Sequence, residues 1–221
     1  MTILTAHSGA DGFPDNSLAF VRHALASGAD ALEIDVRRAS DGSLRLGHDA
    51  ADEGLPTLAE VFALLAAAPG MRVNCDLKER GLESAVCALA REHGLAGRVI
   101  LTGSADPALW AASPELRETA ELWLNLEEAV PGVYERRDWS LPLLLETAER
   151  ALAVCRRCGL DTLNLNYRLA LPPFAERLAA EGVKLSVWTV DGEADIQRVL
   201  DAGVYALTTR KLRTALRLAG R

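Results

Sequence analysis

Two pairs of charged residues open the chemical reading of this chain. Glu33 and Asp35 stand two residues apart in ALEIDV, and Asp76 and Lys78 stand two apart in NCDLK. On a β-strand that spacing puts both members on one face. If the two strands lie side by side, three carboxylates converge. Like charges about 4 Å apart repel by about 4 kcal/mol per pair at an effective dielectric of ~20. Lys78 offsets one of them, and the remainder calls for a cation. All-oxygen donors suit a hard ion, Mg²⁺ or Ca²⁺, and the sequence has no His/Cys spacing of the zinc type. The competing reading is a solvated acidic rim.

His7 ends the first β-rich run, and His48 ends a later one, just before Asp49. Histidine titrates near neutrality, so two of them at one acidic site suit general acid and base work. Each alone is more often a hydrogen-bonded structural residue; together at one barrel mouth they favour catalysis. His23 and His93 fall in helical stretches and are read as surface or packing residues. Cys155-Arg156-Arg157-Cys158 lies at a helix end without a second pair, so it is read as packing, as are Cys75 and Cys87.

What must position these groups is an alternation of short β-rich runs with Ala/Leu-rich helices. Strand candidates are 3–7, 31–36, 44–48, 72–77, 99–103, 121–126, 162–167, 184–190 and 205–209; helix candidates are 17–27, 57–67, 82–93, 107–112, 141–158, 173–181 and 193–201. Asn16 or Ser17 can cap the first helix, and Thr57 with Glu60 makes a capping box for the second. Nine strands exceed an eight-stranded barrel by one. Ser40-Asp41-Gly42-Ser43 leaves room for a turn and none for a helix, whereas a parallel crossover needs about a dozen residues. Run 44–48 therefore returns antiparallel against an extension of the second strand. The predicted fold is α/β, a (β/α)8 TIM barrel with an extra antiparallel hairpin strand after strand 2, in a single domain over 1–221. An open doubly wound sheet is the alternative, but His7 to Gly12 is not a Gly-rich phosphate loop.

Strand side chains alternate between the lumen and the helix layer. One parity is apolar throughout: Leu32, Ile34, Val73, Cys75, Leu77, Leu163, Leu165, Leu185 and Val187. The other turns polar toward the C-terminal strand ends, where barrels place their chemistry. It holds His7, Glu33, Asp35, Asn74, Asp76, Lys78, Asn125, Glu127, Asn164, Asn166, Ser186, Trp188 and Thr208. Glu127, Asn166 and Trp188 are accordingly expected to face a substrate, although Trp188 reads equally as a lumen filler.

The chain has 221 residues, 49% hydrophobic and 25% charged, enough to bury a core without disulfide or metal staples. A formal net charge of −7 argues against nucleic acid, whose phosphates need clustered Lys and Arg. No apolar run approaches the ~18 residues that would span a bilayer. The N-terminal MTILTAHSG does not read as a leader, and four cysteines are too few for a disulfide scaffold. The expected setting is the cytoplasm, with reduced thiols and no stable membrane insertion.

Taken in order, His7-Ser8-Gly9, Pro14-Asp15-Asn16-Ser17, Glu33-Ile34-Asp35, Asp41-Gly42, His48-Asp49, Pro56-Thr57-Leu58, Asp76-Leu77-Lys78 and Val187-Trp188-Thr189-Val190 resemble the glycerophosphodiester phosphodiesterase family over nearly the whole chain. The resemblance implies a phospholipase-C-like (β/α)8 barrel that hydrolyses glycerophosphodiesters to glycerol 3-phosphate and an alcohol. It implies a metal site at Glu33, Asp35 and Asp76 beside Lys78, and catalytic histidines at His7 and His48. Three positions depart from the family pattern. Ser8 stands where an Arg usually helps hold the phosphate, Pro-Asp-Asn-Ser replaces Pro-Glu-Asn-Thr, and the third ligand is Asp76 rather than Glu. Residues 50–55 form a short loop where relatives carry a long insertion, which implies an open mouth.

On this reading His7 is the base, His48 the acid, Lys78 the stabiliser of the charged phosphorane, and Ser8 a substrate contact. With Ser8 supplying only a hydroxyl, phosphate binding must draw on Lys78 and the ion, on an arginine from another loop, or on contacts away from the phosphate. Restoring arginine at position 8 is expected to raise affinity up to about tenfold. The rivals are a phosphodiesterase for another headgroup or a lysophospholipid, and a non-catalytic phosphodiester-binding barrel.

Overall fold

The computed structural model describes residues 1–52, 54–136 and 138–221, so Glu53 of the short loop lies outside the described residues. Its strands are β1 (Ile3–Ala6), β2 (Ala31–Arg38), β3 (Leu44–Leu46), β4 (Arg72–Leu77), β5 (Val99–Gly103), β6 (Ala120–Leu122), β7 (Leu124–Asn125), β8 (Thr162–Asn166), β9 (Lys184–Trp188) and β10 (Ala206–Thr209). Between them run α1 (Leu18–Ser27), α2 (Leu58–Ala66), α3 (Glu83–Glu92), α4 (Pro107–Ala112), α5 (Pro114–Thr119), α6 (Leu126–Ala129), α7 (Leu141–Cys158), α8 (Pro172–Ala179) and α9 (Glu193–Asp201), with α10 (Leu212–Leu218) last.

The parallel sheet runs β6-β5-β4-β2-β1-β10-β9-β8-β7. Its two ends belong to one stretch, residues 120–125, interrupted at Trp123. Residues 120–122 pair with β5, the Trp123 N–H still donates to the Leu101 carbonyl at 3.0 Å, and Leu124 and Asn125 pair with β8. The ring closes through this stretch, which gives eight strand positions among the described residues. The sequence reading had it as one strand over 121–126. β3 stands off the ring, antiparallel to the end of β2, with Val36 opposite Leu46 and Arg38 opposite Leu44. This is the extra hairpin strand that the SDGS turn implied. The Ser43 N–H and hydroxyl both donate to Asp41 Oδ1 and close the turn.

Local signals set the helices. Ser17 Oγ accepts the Phe20 N–H and starts α1, and Thr57 with Glu60 forms the complete capping box of α2. Three helices went unread, α5, α6 and α10; Ser113 caps α5, with Pro114 in its first turn. The apolar parity Leu32, Ile34, Val73, Cys75, Leu77, Leu163, Leu165, Leu185 and Val187 is buried under the helices in one continuous core. Each such Leu, Ile or Val is worth about 1.5–3 kcal/mol when fully buried.

The lumen has its own smaller cluster, Ile100, Trp123 and Ala206, against which Ile3 and Tyr205 pack. Trp123 meets Tyr205 edge-on with ring centroids 5.8 Å apart, and the Arg72 guanidinium lies 5.7 Å from the Trp123 centroid. Two residues further along the same strands stand Thr102, Asn125 and Thr208. An apolar floor therefore supports a polar tier, and the site stands above both. No helix among the described residues is long and apolar enough to cross a membrane.

Candidate active site

Parallel register brings the carboxylates together. β2 and β4 pair with Glu33 opposite Asn74 and Asp35 opposite Asp76. One oxygen from each of Glu33, Asp35 and Asp76 lies within 4.8 Å of the others. Lys78 Nζ bridges two of them, 2.8 Å from Asp35 Oδ1 and 2.5 Å from Asp76 Oδ2. Those carboxylates hold the Lys78 ammonium well above its ordinary range, against the opposing effect of its burial. Burial first, then the charges of Asp35 and Asp76, push Glu33 up to about 7, while His7 acts in the opposite direction. Three carboxylates against one ammonium leave two negative charges, all on hard oxygens. That donor set fits a divalent cation of the Mg²⁺ or Ca²⁺ kind.

Neighbouring groups fix these carboxylates in place. The Ser8 N–H donates to Glu33 Oε2 at 2.9 Å. Asn16 Nδ2 donates to Asp35 Oδ2 at 2.7 Å, and the Asp35 N–H donates back to Asn16 Oδ1 at 3.0 Å. Asn16 holds this position with φ 53°, in the left-handed region that Asn tolerates better than most residues. The Thr102 hydroxyl lies 3.3 Å from Asp76 Oδ1. Gly103, at φ 71°, leaves the space beside it: a Cβ there would stand 2.3 Å from Asp76 Oδ1.

An open cavity of about 580 Å³ lies over the cluster. Both His7 and His48 line it, with Glu33, Asp35, Asp76 and Lys78. His7 Nδ1 is 2.9 Å from the Ser8 carbonyl, which can only accept, so Nδ1 carries the proton and Nε2 keeps its lone pair. His48 Nδ1 is 2.7 Å from Asp49 Oδ1, a bond that leaves its Nε2 free to carry a second proton. His48 is 67% exposed, and its carbonyl accepts Arg37 Nε–H at 2.9 Å. His23 lies outside the cavity, bonded to Asp11 Oδ2 at 2.9 Å and stacked on Phe13. The four cysteines are buried and free.

Of the residues expected at the substrate, Glu127 and Trp188 line the cavity. A chain of hydrogen bonds crosses the polar tier to reach Glu127: Ser186 Oγ donates to Asn164, Asn164 Nδ2 to Asn125, and Asn125 Nδ2 to Glu127 Oε1, at 2.8, 2.8 and 3.0 Å. Burial pushes the Glu127 carboxyl up. Trp188 meets Tyr134 edge-on at 5.7 Å, and its buried indole N–H has no partner among the described residues.

Ser8 and Asn166 are not brought to the cavity. Ser8 is fully buried, and its hydroxyl accepts the Asn16 N–H at 2.7 Å. It stands next to His7 in the chain, but its hydroxyl meets Asn16 instead of the cavity. Asn166 instead caps the turn after β8: its Oδ1 accepts the Arg168 N–H, and its own N–H donates to Tyr134 Oη. Asn164, two residues earlier, lines the cavity.

The sequence reading missed three groups. Asn16 was read as a helix cap and as part of the Pro-Asp-Asn-Ser motif, with no role at the carboxylates. Arg210 and Asp191 line the cavity from the turns after β10 and β9. Their signal was their place, charged residues just beyond the C-terminal ends of barrel strands.

A family model described as the glycerophosphoryl diester phosphodiesterase family matches residues 7–64 and 51–213. A glycerophosphodiester phosphodiesterase of Caldanaerobacter subterraneus subsp. tengcongensis is 25% identical, over 98% of this chain and 97% of its own length. The structure of an Oleispira antarctica phosphodiesterase in complex with the product sn-glycerol-3-phosphate superposes with a TM-score of 0.73 at 18% identity, over 99% of this chain and 96% of that one. A glycerophosphodiester phosphodiesterase structure from Thermotoga maritima gives 0.69 at 18% identity, over 100% and 99%. The two solved structures carry the likeness of fold, and the match of the family model over most of the sequence carries the relationship: the chain belongs to the glycerophosphoryl diester phosphodiesterase family of phosphoric diester hydrolases.

Proposed function

We propose that this cavity hydrolyses glycerophosphodiesters to glycerol 3-phosphate and an alcohol, with Glu33, Asp35 and Asp76 holding a divalent ion and His7 and His48 moving protons. The observation that carries the reading is the convergence of three carboxylates beneath a cavity that both histidines line. The names of the relatives support the substrate class.

When bound, a divalent ion supplies Lewis-acid polarisation of the phosphoryl oxygens. The chain's own residues do the rest. His7 Nε2, with its lone pair free, takes the proton of the attacking hydroxyl, from water or from the substrate's glycerol. His48, as the imidazolium, delivers its Nε2 proton to the leaving alcohol oxygen as the P–O bond breaks. Where the glycerol hydroxyl attacks, the product is a cyclic phosphodiester, which water then opens to glycerol 3-phosphate with the two histidines in reversed roles. Lys78 offsets charge on the phosphorane. Glu127 and Trp188 contact the organic part of the substrate, where the unpartnered indole N–H is a donor that a ligand can satisfy.

A screen of divalent ions against glycerophosphodiesters, other headgroup diesters and lysophospholipids tests the reading. Release of glycerol 3-phosphate that requires Mg²⁺ or Ca²⁺ is the expected result. Turnover confined to lysophospholipids would move the substrate class. Binding of glycerol 3-phosphate with no turnover under any ion would make the chain a binding barrel.

A further inference from the structure

A phosphodiester is an anion, and the wall of this cavity is rich in carboxylates. Glu33, Asp35, Asp76, Glu127, Glu128 and Asp191 all line it. Against them, the lysines and arginines that line it are Lys78 and Arg210. Lys78 is committed to Asp35 and Asp76. Lys78 keeps one of its three N–H bonds for the substrate, whereas Arg210 keeps the whole outer edge of its guanidinium.

Arg210 is built into place from both sides. Its N–H donates to Asp191 Oδ1 at 2.7 Å, and its carbonyl accepts the Asp11 N–H at 2.8 Å. Its guanidinium is held by Asp15, Nη1 to Oδ1 at 2.8 Å and Nη2 to Oδ2 at 3.0 Å. This end-on fork uses one hydrogen of each Nη. The Nε–H and the outer hydrogens of both Nη atoms find no acceptor among the described residues, and the side chain is 40% exposed. One edge of the plane is thus clamped and the other is open. The clamp itself depends on Gly9, at φ 76°: a Cβ there would stand 1.8 Å from Asp15 Oδ1. Asp15 is also near enough to His7 and His48 for their charges to act on it, and Arg210 near enough to feel Glu33, so the pair borders the reacting groups.

We infer that Arg210 is a phosphate-binding residue of this enzyme, its open guanidinium edge taking the anionic oxygens of the substrate while Asp15 orients it. The inference rests on the phosphodiesterase reading above and deepens it. Ser8 cannot serve in this place, because its hydroxyl is buried against Asn16. An arginine fork matches a phosphoryl group in a way that a lone ammonium does not. The competing account is a surface ion pair that only ties β10 to the loop after β1. That account predicts a change in stability and none in ligand affinity.

The experiment combines calorimetric binding of glycerol 3-phosphate, with Mg²⁺ and with chelator, and steady-state kinetics on glycerophosphocholine. Arg210→Ala is expected to weaken binding and raise KM roughly 10- to 100-fold, with a smaller change in kcat. Arg210→Lys is expected to recover part of the loss. Asp15→Asn is expected to cost affinity in the wild type and almost nothing in the Arg210→Ala background. Circular dichroism checks that each variant folds, and Arg210→Lys keeps the test open if the alanine variant does not. Wild-type turnover with Kd and KM in Arg210→Ala within twofold of wild type would overturn the assignment and leave the phosphodiesterase reading standing. Coupling between Asp15 and Arg210 that appears in the denaturation midpoint but not in Kd would overturn it too. If the wild type hydrolyses nothing, the phosphodiesterase reading fails, and the calorimetric arm still decides Arg210.

Discussion

Asn16 grips Asp35 at two points: its side-chain N–H₂ donates to the carboxylate, and its side-chain oxygen accepts the backbone N–H of the same residue. The two bonds fix both the strand and the side chain of a proposed metal ligand. Asn16→Ala leaves a buried N–H and a buried carboxylate oxygen without partners. It should destabilise the protein by about 1–3 kcal/mol and weaken divalent-ion binding roughly 10- to 100-fold. Thermal denaturation and calorimetry with Mg²⁺ or Ca²⁺ measure the two effects. Unchanged ion affinity would show that Asp35 does not need this support.

Chelator should abolish hydrolysis, and Mg²⁺ or Ca²⁺ should restore it. The ion should also stabilise the fold, by about 2.7 kcal/mol at a hundredfold excess over its Kd. Asp76→Asn should remove most of that gain. Full activity in excess chelator would rule out the proposed use of Glu33, Asp35 and Asp76.

His7→Ala and His48→Ala should each lower kcat about 10²- to 10⁴-fold while the fold is kept. His93→Ala, a residue that lies edge-on to Phe62 away from the cavity, should match the wild type. A nitrophenol leaving group needs little protonation, so the His48→Ala defect should shrink on such a substrate and the His7→Ala defect should persist. Equal defects on both substrates would remove His48 from the acid role.

Glu33 gives the metal-free protein a pH signature. Burial raises this carboxyl to about 7, so the folded state holds a proton that the unfolded state releases near 4.5. The folded state binds more protons across that window, and stability falls as pH rises through it. In chelator, the urea midpoint should therefore decline from pH 4.5 to 7, and Glu33→Gln should flatten the decline. A midpoint that rises through this range in wild type and Glu33→Gln alike would place the dominant titration elsewhere.

Ser8→Arg now carries the opposite expectation from the one its sequence position suggested. Ser8 is fully buried and accepts the Asn16 N–H, so a guanidinium there breaks the loop that holds Asp35. A loss of stability and of turnover is expected, measured by denaturation and kcat/KM. A gain in affinity would mean that the loop can turn residue 8 toward the cavity.

Where backbone was regular, the sequence was a good guide. Period-two alternation separated the helix-facing Leu32 and Ile34 from Glu33 and Asp35, and the SDGS turn announced β3. Ser8 was read as a substrate contact from its family position; it lies past the end of β1, and its hydroxyl is taken by the Asn16 N–H. Asn16 and Arg210 were harder to read. Asn16 sits at φ 53° and Arg210 lies past the end of β10, and no simple period says where side chains on irregular backbone point. Trp123 was hidden for a related reason, since a strand that changes partners midway reads in sequence as one strand.

That change of partner makes the barrel unequal around its circumference. Six aligned residue pairs join β2 to β4 beneath the carboxylates, but three join β5 to β6 and two join β7 to β8. Two pairs also join β1 to β2 and β9 to β10, so Asn125, which carries the bond to Glu127, is set in one of three thin joints. The Glu127 wall of the mouth thus hangs on a two-pair seam, while Asp35 and Asp76 face each other across a six-pair one.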